Sequence, residues 1–309
     1  MARFKPIPGD VVVSALVTSA ALYADIRSTS DSTEPGSLVR LARPSLTLTA
    51  RADTAPYVEE GSPVVAGRFV WIVEQTLRGP LARQLVALDP ETLRPAHSVT
   101  LPATLAPGLG SVLVASSSNL LWASADDELL RFDPETATLL ATIRAAAPIG
   151  SLVVDTRALA TLDQAGPTGV EACLRDPLAG RTIGCTSPLW LGATATAVGD
   201  GSAWFAYRTG MKGSAARLVS PATLLRNSVG PWDMGVSLSL VNGTLWYLHR
   251  DSQHGVALVC ADPFSGATRD STTISDAGGT VLGDSTATYL VVGTGDLVLL
   301  SPPKSCRSS

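Results

Sequence analysis

Seven dipeptides ending in proline punctuate this chain at a nearly constant interval. They are Arg43-Pro44, Asp89-Pro90, Asp133-Pro134, Asp176-Pro177, Ser220-Pro221, Asp262-Pro263 and Ser301-Pro302, and successive prolines lie 46, 44, 43, 44, 42 and 39 residues apart. A short apolar run precedes each, and a Thr/Ser/Leu-rich run follows. Proline sets φ at about −65°, as position i+1 of a tight turn requires, and Asp or Ser before it accepts hydrogen bonds from the turn backbone. Asp133-Pro134-Glu135-Thr136 therefore reads as a hairpin turn between strands at 128–132 and 137–143. The same pair of strands flanks Pro90, and an apolar run of the same kind leads into Pro263. A strand-built repeat of about 40–45 residues is the signature of a β-propeller.

Two further markers keep the period. An aromatic residue precedes six of the seven turns, at Tyr23, Trp71, Trp122, Trp204, Trp246 and Tyr289; the fourth unit carries Leu159-Ala160-Thr161 instead. An apolar run opens each unit, as at Val11-Val12-Val13 and Leu152-Val153-Val154. Each unit thus holds an inner strand, an aromatic strand, a third strand and an outer strand. One such sheet cannot bury both faces, whereas sheets stacked radially bury each other. The expected fold is an all-β, seven-bladed propeller of four-stranded antiparallel blades, with the periodic aromatics packed between blades. Its blades run approximately 11–56, 57–103, 104–147, 148–190, 191–231, 232–276 and 277–309 plus 1–10, in a single domain over 1–309. Residues 3–7 superimpose on the outer strand that ends the third blade, and little chain follows Pro302. The N-terminal strand is therefore expected to complete blade seven.

The 309 residues are 45% hydrophobic, enough for a large core, and no Pro/Gly/Ser linker divides them. A formal charge of −4 argues against nucleic acid as a partner. Residues 3–24 carry a competing reading as an export signal, but Pro8-Gly9-Asp10 breaks the run and Tyr23 fits the aromatic slot, so blade one is favoured. No membrane span is expected elsewhere. Four cysteines allow three pairings. Cys173 and Cys185 lie four residues before and eight after Pro177, which suits a slightly staggered cross-strand bridge; Cys260 and Cys306 then tie down the tail. The competing reading is four free thiols. Disulfides imply an extracytoplasmic or secreted protein with its export signal removed. The cysteine spacing matches no zinc site.

Ligands are expected on the face formed by aromatic-to-third loops and blade-to-blade loops, which vary in length from Arg27–Gly36 down to Ala125-Asp126-Asp127. Tyr57, Glu59 and Glu60 fall there between blades one and two, Trp190 between four and five, and Trp232, Asp233 and Met234 between five and six. Tyr207-Arg208 and His249-Arg250-Asp251 follow the aromatic strands of blades five and six. Trp190 and Trp232 stand outside the periodic slot, so blade packing does not demand them, and tryptophans suit a binding platform.

The pairing of Leu120-Leu121-Trp122 with Arg131-Phe132-Asp133-Pro134-Glu135-Thr136, and of Trp71 with Leu88-Asp89-Pro90-Glu91-Thr92, resembles the blades of seven-bladed propellers of the streptogramin lyase and YVTN/NHL-like class. Streptogramin lyases open a cyclic depsipeptide by elimination, using a metal with His and Glu near the channel. The resemblance covers nearly the whole chain but rests on blade scaffolding, and no catalytic residue transfers. Two readings follow. The first is a monomeric, non-catalytic propeller, without cofactor, that recognises a protein, peptide or glycan through Tyr57, Trp190, Tyr207, Arg208, Trp232, Asp233, His249 and Arg250. The second is a lyase or isomerase acting on a cyclic peptide or similar small molecule, with His249 as general base, Glu59 or Asp233 assisting, and a divalent metal. His97 falls in an outer strand, away from the channel mouth, and His254 shares the His249 loop. No Gly-x-Ser-x-Gly, phosphate-loop, HExxH or EF-hand pattern occurs, which favours the first.

Overall fold

The computed structural model describes residues 2–30, 35–54, 57–58, 63–76, 82–101, 113–117, 119–165, 169–186, 189–190, 195–197, 200–209, 212–219, 223–232, 234–251, 255–274, 279–292 and 295–306. The proline turns organise it. Asp133 Oδ1 accepts from the backbone N–H groups of Glu135 (2.8 Å) and Thr136 (3.0 Å), and Ala137 N–H returns to the Asp133 carbonyl at 2.9 Å. Asp89, Asp176 and Asp262 repeat this arrangement. A residue with positive φ closes each turn: Leu93 (59°), Ala137 (61°), Gly180 (67°) and Gly266 (74°). Each hairpin loop thus holds four residues, the last of them left-handed, before the chain pairs back. That is why the outer strand expected from residue 137 begins two residues later, as Leu139–Arg144.

The strands pair antiparallel into sheets numbered in chain order. Sheet one joins Asp10–Val17, Leu22–Ser28, Gly36–Ala42 and Thr47–Thr54, and sheet two joins Val64–Ala66, Phe69–Thr76, Ala82–Leu88 and Pro95–Thr100. Sheet three joins Leu113–Ser117, Leu120–Ala125, Glu128–Phe132 and Leu139–Arg144. Sheet four joins Ile149–Val154, Leu159–Ala165, Gly169–Arg175 and Thr182–Cys185. Sheet five joins Ala195–Ala197, Ala203–Thr209, Lys212–Val219 and Thr223–Trp232, and sheet six joins Met234–Val241, Thr244–Asp251, Gly255–Ala261 and Thr268–Ile274. Sheet seven takes Gly279–Gly283, Thr288–Val292 and Leu297–Leu300 from the end of the chain and Arg3–Phe4 from its start.

The core lies in the seams. Each apolar cluster draws on two consecutive sheets: Tyr23 and Leu38 meet Val70 and Ile72 across the first seam, and Tyr289 and Leu297 meet Val12 and Leu22 across the last. Trp71, Trp122, Trp204 and Tyr289 are fully buried, and Tyr23 and Trp246 nearly so, as the periodicity predicts. A buried tryptophan removes about 200 Å² from water, worth on the order of 5 kcal/mol before ordering costs. The polar ends of several of these rings lock onto the following sheet. Tyr23 Oη donates to the Pro90 carbonyl (2.8 Å), Trp122 Nε1 to the Pro177 carbonyl (3.0 Å) and Trp204 Nε1 to the Pro263 carbonyl (2.7 Å). Gly180 is required there, because a Cβ would come within 2.9 Å of Trp122 Cη2. Tyr289 instead accepts from Arg43 Nε, and Trp71 donates to Ala66 within its own sheet.

In sheet four the missing aromatic is replaced by an arginine. Thr161 is small enough to admit the Arg175 guanidinium, which is 3% exposed and bonds Thr161, Thr182 and Asp163.

The N-terminal strand pairs Arg3 with Val298 and Phe4 with Leu297, and Arg3 forms an ion pair with Asp296. It is shorter than the 3–7 expected. Both disulfides form as Cys173–Cys185 and Cys260–Cys306. The first is not staggered: Cys173 and Cys185 are direct cross-strand partners, because the bulge at Leu174/Arg175 absorbs the odd residue. Ser301-Pro302 is no hairpin turn. The outer strand of sheet seven comes from the other end of the chain, so the segment after Leu300 runs to the 3-10 turn Lys304–Cys306 and is bridged to sheet six. The Ser220-Pro221 turn lies outside the described residues. Among those described, no helix is long and apolar enough to cross a membrane.

Candidate functional site

Strand order divides the propeller into two faces. Inner-to-aromatic turns and proline turns share one; aromatic-to-third loops and sheet-to-sheet connections share the other, irregular one. There the connections differ in reach, from Ser28 to Gly36 in sheet one down to Ala125 to Glu128 in sheet three.

Backbone register places the predicted residues at the strand ends of that irregular face, but in strands rather than loops. Tyr57 belongs to the two-residue strand Tyr57–Val58, which pairs with Phe69–Thr76 through Tyr57 and Gln75. Trp190 belongs to Leu189–Trp190 and pairs with Gly169 at the end of Gly169–Arg175. Tyr207 and Arg208 pair with Ser214 and Gly213, because the hairpin ladder continues to Thr209 and Lys212. Trp232 ends the ten-residue outer strand of sheet five, again opposite Gly213. His249 and Arg250 lie within Thr244–Asp251 and pair with Ala257 and Val256. Glu59, Glu60, Asp233 and His254 lie outside the described residues.

The register unites some of these residues and separates others. Arg208, Gly213 and Trp232 form one row across three strands of sheet five, so directly opposed positions share a face. Arg250 pairs with Met234, two residues beyond Trp232, at the same end of sheet six. Tyr57 and Trp190 belong to sheets two and four and form no row with that group. His97 lies in the outer strand Pro95–Thr100, edge-on to Phe69 with centroids 5.2 Å apart, as the sequence places it.

A buried polar layer beneath this face is absent from the sequence reading. Asp25, Ser124 and Asp163 each stand two residues after the aromatic slot, at Tyr23, Trp122 and Thr161, and are 3%, 0% and 4% exposed. Burial pushes the Asp25 carboxyl up to about 6 against the pull of Arg27, whose Nε lies 3.1 Å from Oδ1. Asp163 is held by Arg175 Nη2 at 2.5 Å. The signal was available: the same position is Val73, Ala206, Leu248 and Val291 in the other units. Glu171, Cys173 and Cys185 are the group of possible metal ligands that converge among the described residues, but both sulfurs are committed to the disulfide and neither is a thiolate.

No family model matches this chain, and no curated protein matches it. Solved propellers do. The WD40 domain of Toxoplasma gondii coronin superposes with a TM-score of 0.66 at 12% identity, over 99% of this chain and 87% of that one. BamB from Moraxella catarrhalis gives 0.59 at 13%, over 93% and 83%. KlAtg21, solved in complex with a coiled coil of AgAtg16, gives 0.66 at 11%, over 95% of each. The chain shares the β-propeller fold with these proteins.

Proposed function

We propose that this chain is a single-domain, seven-bladed propeller that binds a protein, peptide or glycan through its irregular face, without catalysis of its own. The count of seven is supported by the sheets, and by seven apolar clusters that each join consecutive sheets, the last leading back to sheet one. The row Arg208–Gly213–Trp232 carries the binding reading. Tryptophan and arginine are the residue types that anchor interfaces, and a glycine between them lets a ligand approach the backbone closely. That KlAtg21 was solved with a coiled-coil partner fits a protein or peptide ligand for this fold. Two disulfides support an extracytoplasmic setting, and the 31.9 kDa chain is read as a monomer.

The test is a glycan array and a peptide library probed with labelled wild-type protein and with a Trp190→Ala/Trp232→Ala variant of unchanged circular dichroism. Binders of the wild type should lose about tenfold or more in affinity for the variant, equivalent to roughly 1.4 kcal/mol. Binders kept at undiminished affinity would remove the irregular face from this reading.

A further inference from the structure

The seam between sheets six and seven lacks a contact that three other seams have. Tyr23, Trp122 and Trp204 each give a hydrogen bond to the carbonyl of the turn proline in the next sheet. Trp246 holds the same slot in sheet six, yet among the described residues its Nε1 makes no such bond to a turn carbonyl, and it is not one of the fully buried polar atoms left without a partner. In sheets two, four and six the slot is filled by the proline turn that joins third and outer strands, and its carbonyl is the acceptor. In sheet seven the outer strand is Arg3–Phe4, so no turn exists to fill it.

What remains is a notch on the turn-side half of sheet six. Trp246, Leu258 and Leu300 form its apolar walls, and Thr272, Pro302 and Cys306 its rim. Its volume is about 60 Å³, enough for a small ring or a few waters. The tail is fixed beside it by the Cys260–Cys306 bridge, by Ser305 Oγ donating to Asp270 (2.6 Å) and by Thr244 Oγ1 donating to the Cys306 carbonyl (3.0 Å). The rim is therefore held in place.

We propose that this notch is a docking socket for a proline-bearing turn of a partner polypeptide, whose proline carbonyl accepts from Trp246 Nε1. The molecule itself supplies the template, since the socket continues the series of interfaces in which Pro90, Pro177 and Pro263 are the occupants. At the Trp204 socket the occupant is the turn Asp262-Pro263-Phe264-Ser265, whose aspartate fixes the turn before it docks. A free turn of that type meets the same donor and the same kind of apolar wall. This site lies on the opposite side of the propeller from Trp190 and Trp232 and is independent of them.

The experiment uses a capped peptide with the sequence of residues 261–267 and the same peptide with its proline replaced by alanine. The six indole N–H resonances of the ¹⁵N-labelled protein report binding, with Trp246 assigned by Trp246→Phe or, if that variant does not fold, by through-space contacts to Leu258 and Leu300. The expected result is a saturable shift of the Trp246 resonance at millimolar peptide. It should weaken about tenfold with the alanine peptide and with Thr272→Arg, whose exposed side chain blocks the rim without touching the core. It should persist in the Trp190→Ala/Trp232→Ala variant, which separates it from the irregular-face reading. No shift at millimolar peptide, an equal response to both peptides, or binding undiminished by Thr272→Arg overturns the socket.

Discussion

The seams on either side of sheet six differ by one covalent link. Across the first, Trp204 meets a turn whose two strands are continuous in the chain, and its N–H is satisfied at 2.7 Å. Across the second, Trp246 meets sheet seven, whose third and outer strands no turn joins, and the space beside it is bordered by Pro302 and Pro303. The burial of the two rings is nearly the same, 0% and 4%. The difference teaches that apolar packing joins the sheets on both sides, whereas the polar lock needs a turn opposite the ring and does not follow from one automatically, since Trp71 donates within its own sheet. The second seam is bridged by Cys260–Cys306, while the Arg3–Phe4 strand and the Arg3–Asp296 pair complete sheet seven and Phe4 packs toward sheet one.

Removing those devices should loosen sheet seven first. Deleting residues 1–8 exposes the apolar groups packed against Phe4 and strips the edge of sheet seven, so several kcal/mol and on the order of 10 °C of melting temperature should be lost in a thermal scan. An unchanged melting temperature would mean that the ring closes without this strand. The disulfides come next. Cys260 and Cys306 are 46 residues apart and Cys173 and Cys185 only 12, so chain entropy gives about 4 kcal/mol for the first and about 3 kcal/mol for the second. Denaturant titrations of the two Cys→Ser double variants should rank them in that order, and a reversed order would show that the tail bridge is not what holds the second seam.

Smaller effects sharpen the contrast. Trp204→Phe orphans the buried Pro263 carbonyl and should cost about 1–3 kcal/mol more than Trp246→Phe, which orphans nothing; equal losses would mean that Trp246 is already bonded. The smallest effect belongs to the seam between sheets one and two. Asp25 titrates at about 6 when folded, above its ordinary value, so the native state binds its proton more tightly than the unfolded chain does. The Asp25 contribution to stability should therefore be greatest below about pH 4, fall as pH rises to about 6, and then level off. Asp25→Asn should flatten that slope by on the order of 1 kcal/mol in urea titrations at pH 4 and pH 7, and an unaltered slope would place the titration elsewhere.

Much of this fold is legible in the sequence, because its markers are local. An Asp-Pro pair specifies its own turn, and an aromatic at constant spacing specifies a seam. Ser301-Pro302 misleads because it looks like Ser220-Pro221 within a few residues; what separates a turn from a tail is the strand that follows, which is non-local. Tyr57 and Trp190 read as loop residues because a two-residue strand has no alternation to detect. Thr161 marks a gap in the aromatic series, but nothing near it announces that Arg175, fourteen residues on, enters the space. A second repeated turn carries the same local signal: Asp155, Asp200 and Asp284 each accept backbone N–H bonds just before the aromatic strand. The candidate site was legible as a face. Its one row, Arg208–Gly213–Trp232, was not, since register depends on how far each hairpin ladder extends.

The pairing of Arg3–Phe4 with Leu297–Leu300 also has a consequence for symmetry. A ring of like units has no first member, and the backbone alone decides where the circle is cut. The open slot at Trp246 is the imprint of that cut. Join residue 2 to residue 300 through a short turn, open the chain at another proline turn, and the vacancy should move to the seam that has lost its turn. The fold would then be the same circle, with its notch at a different hour.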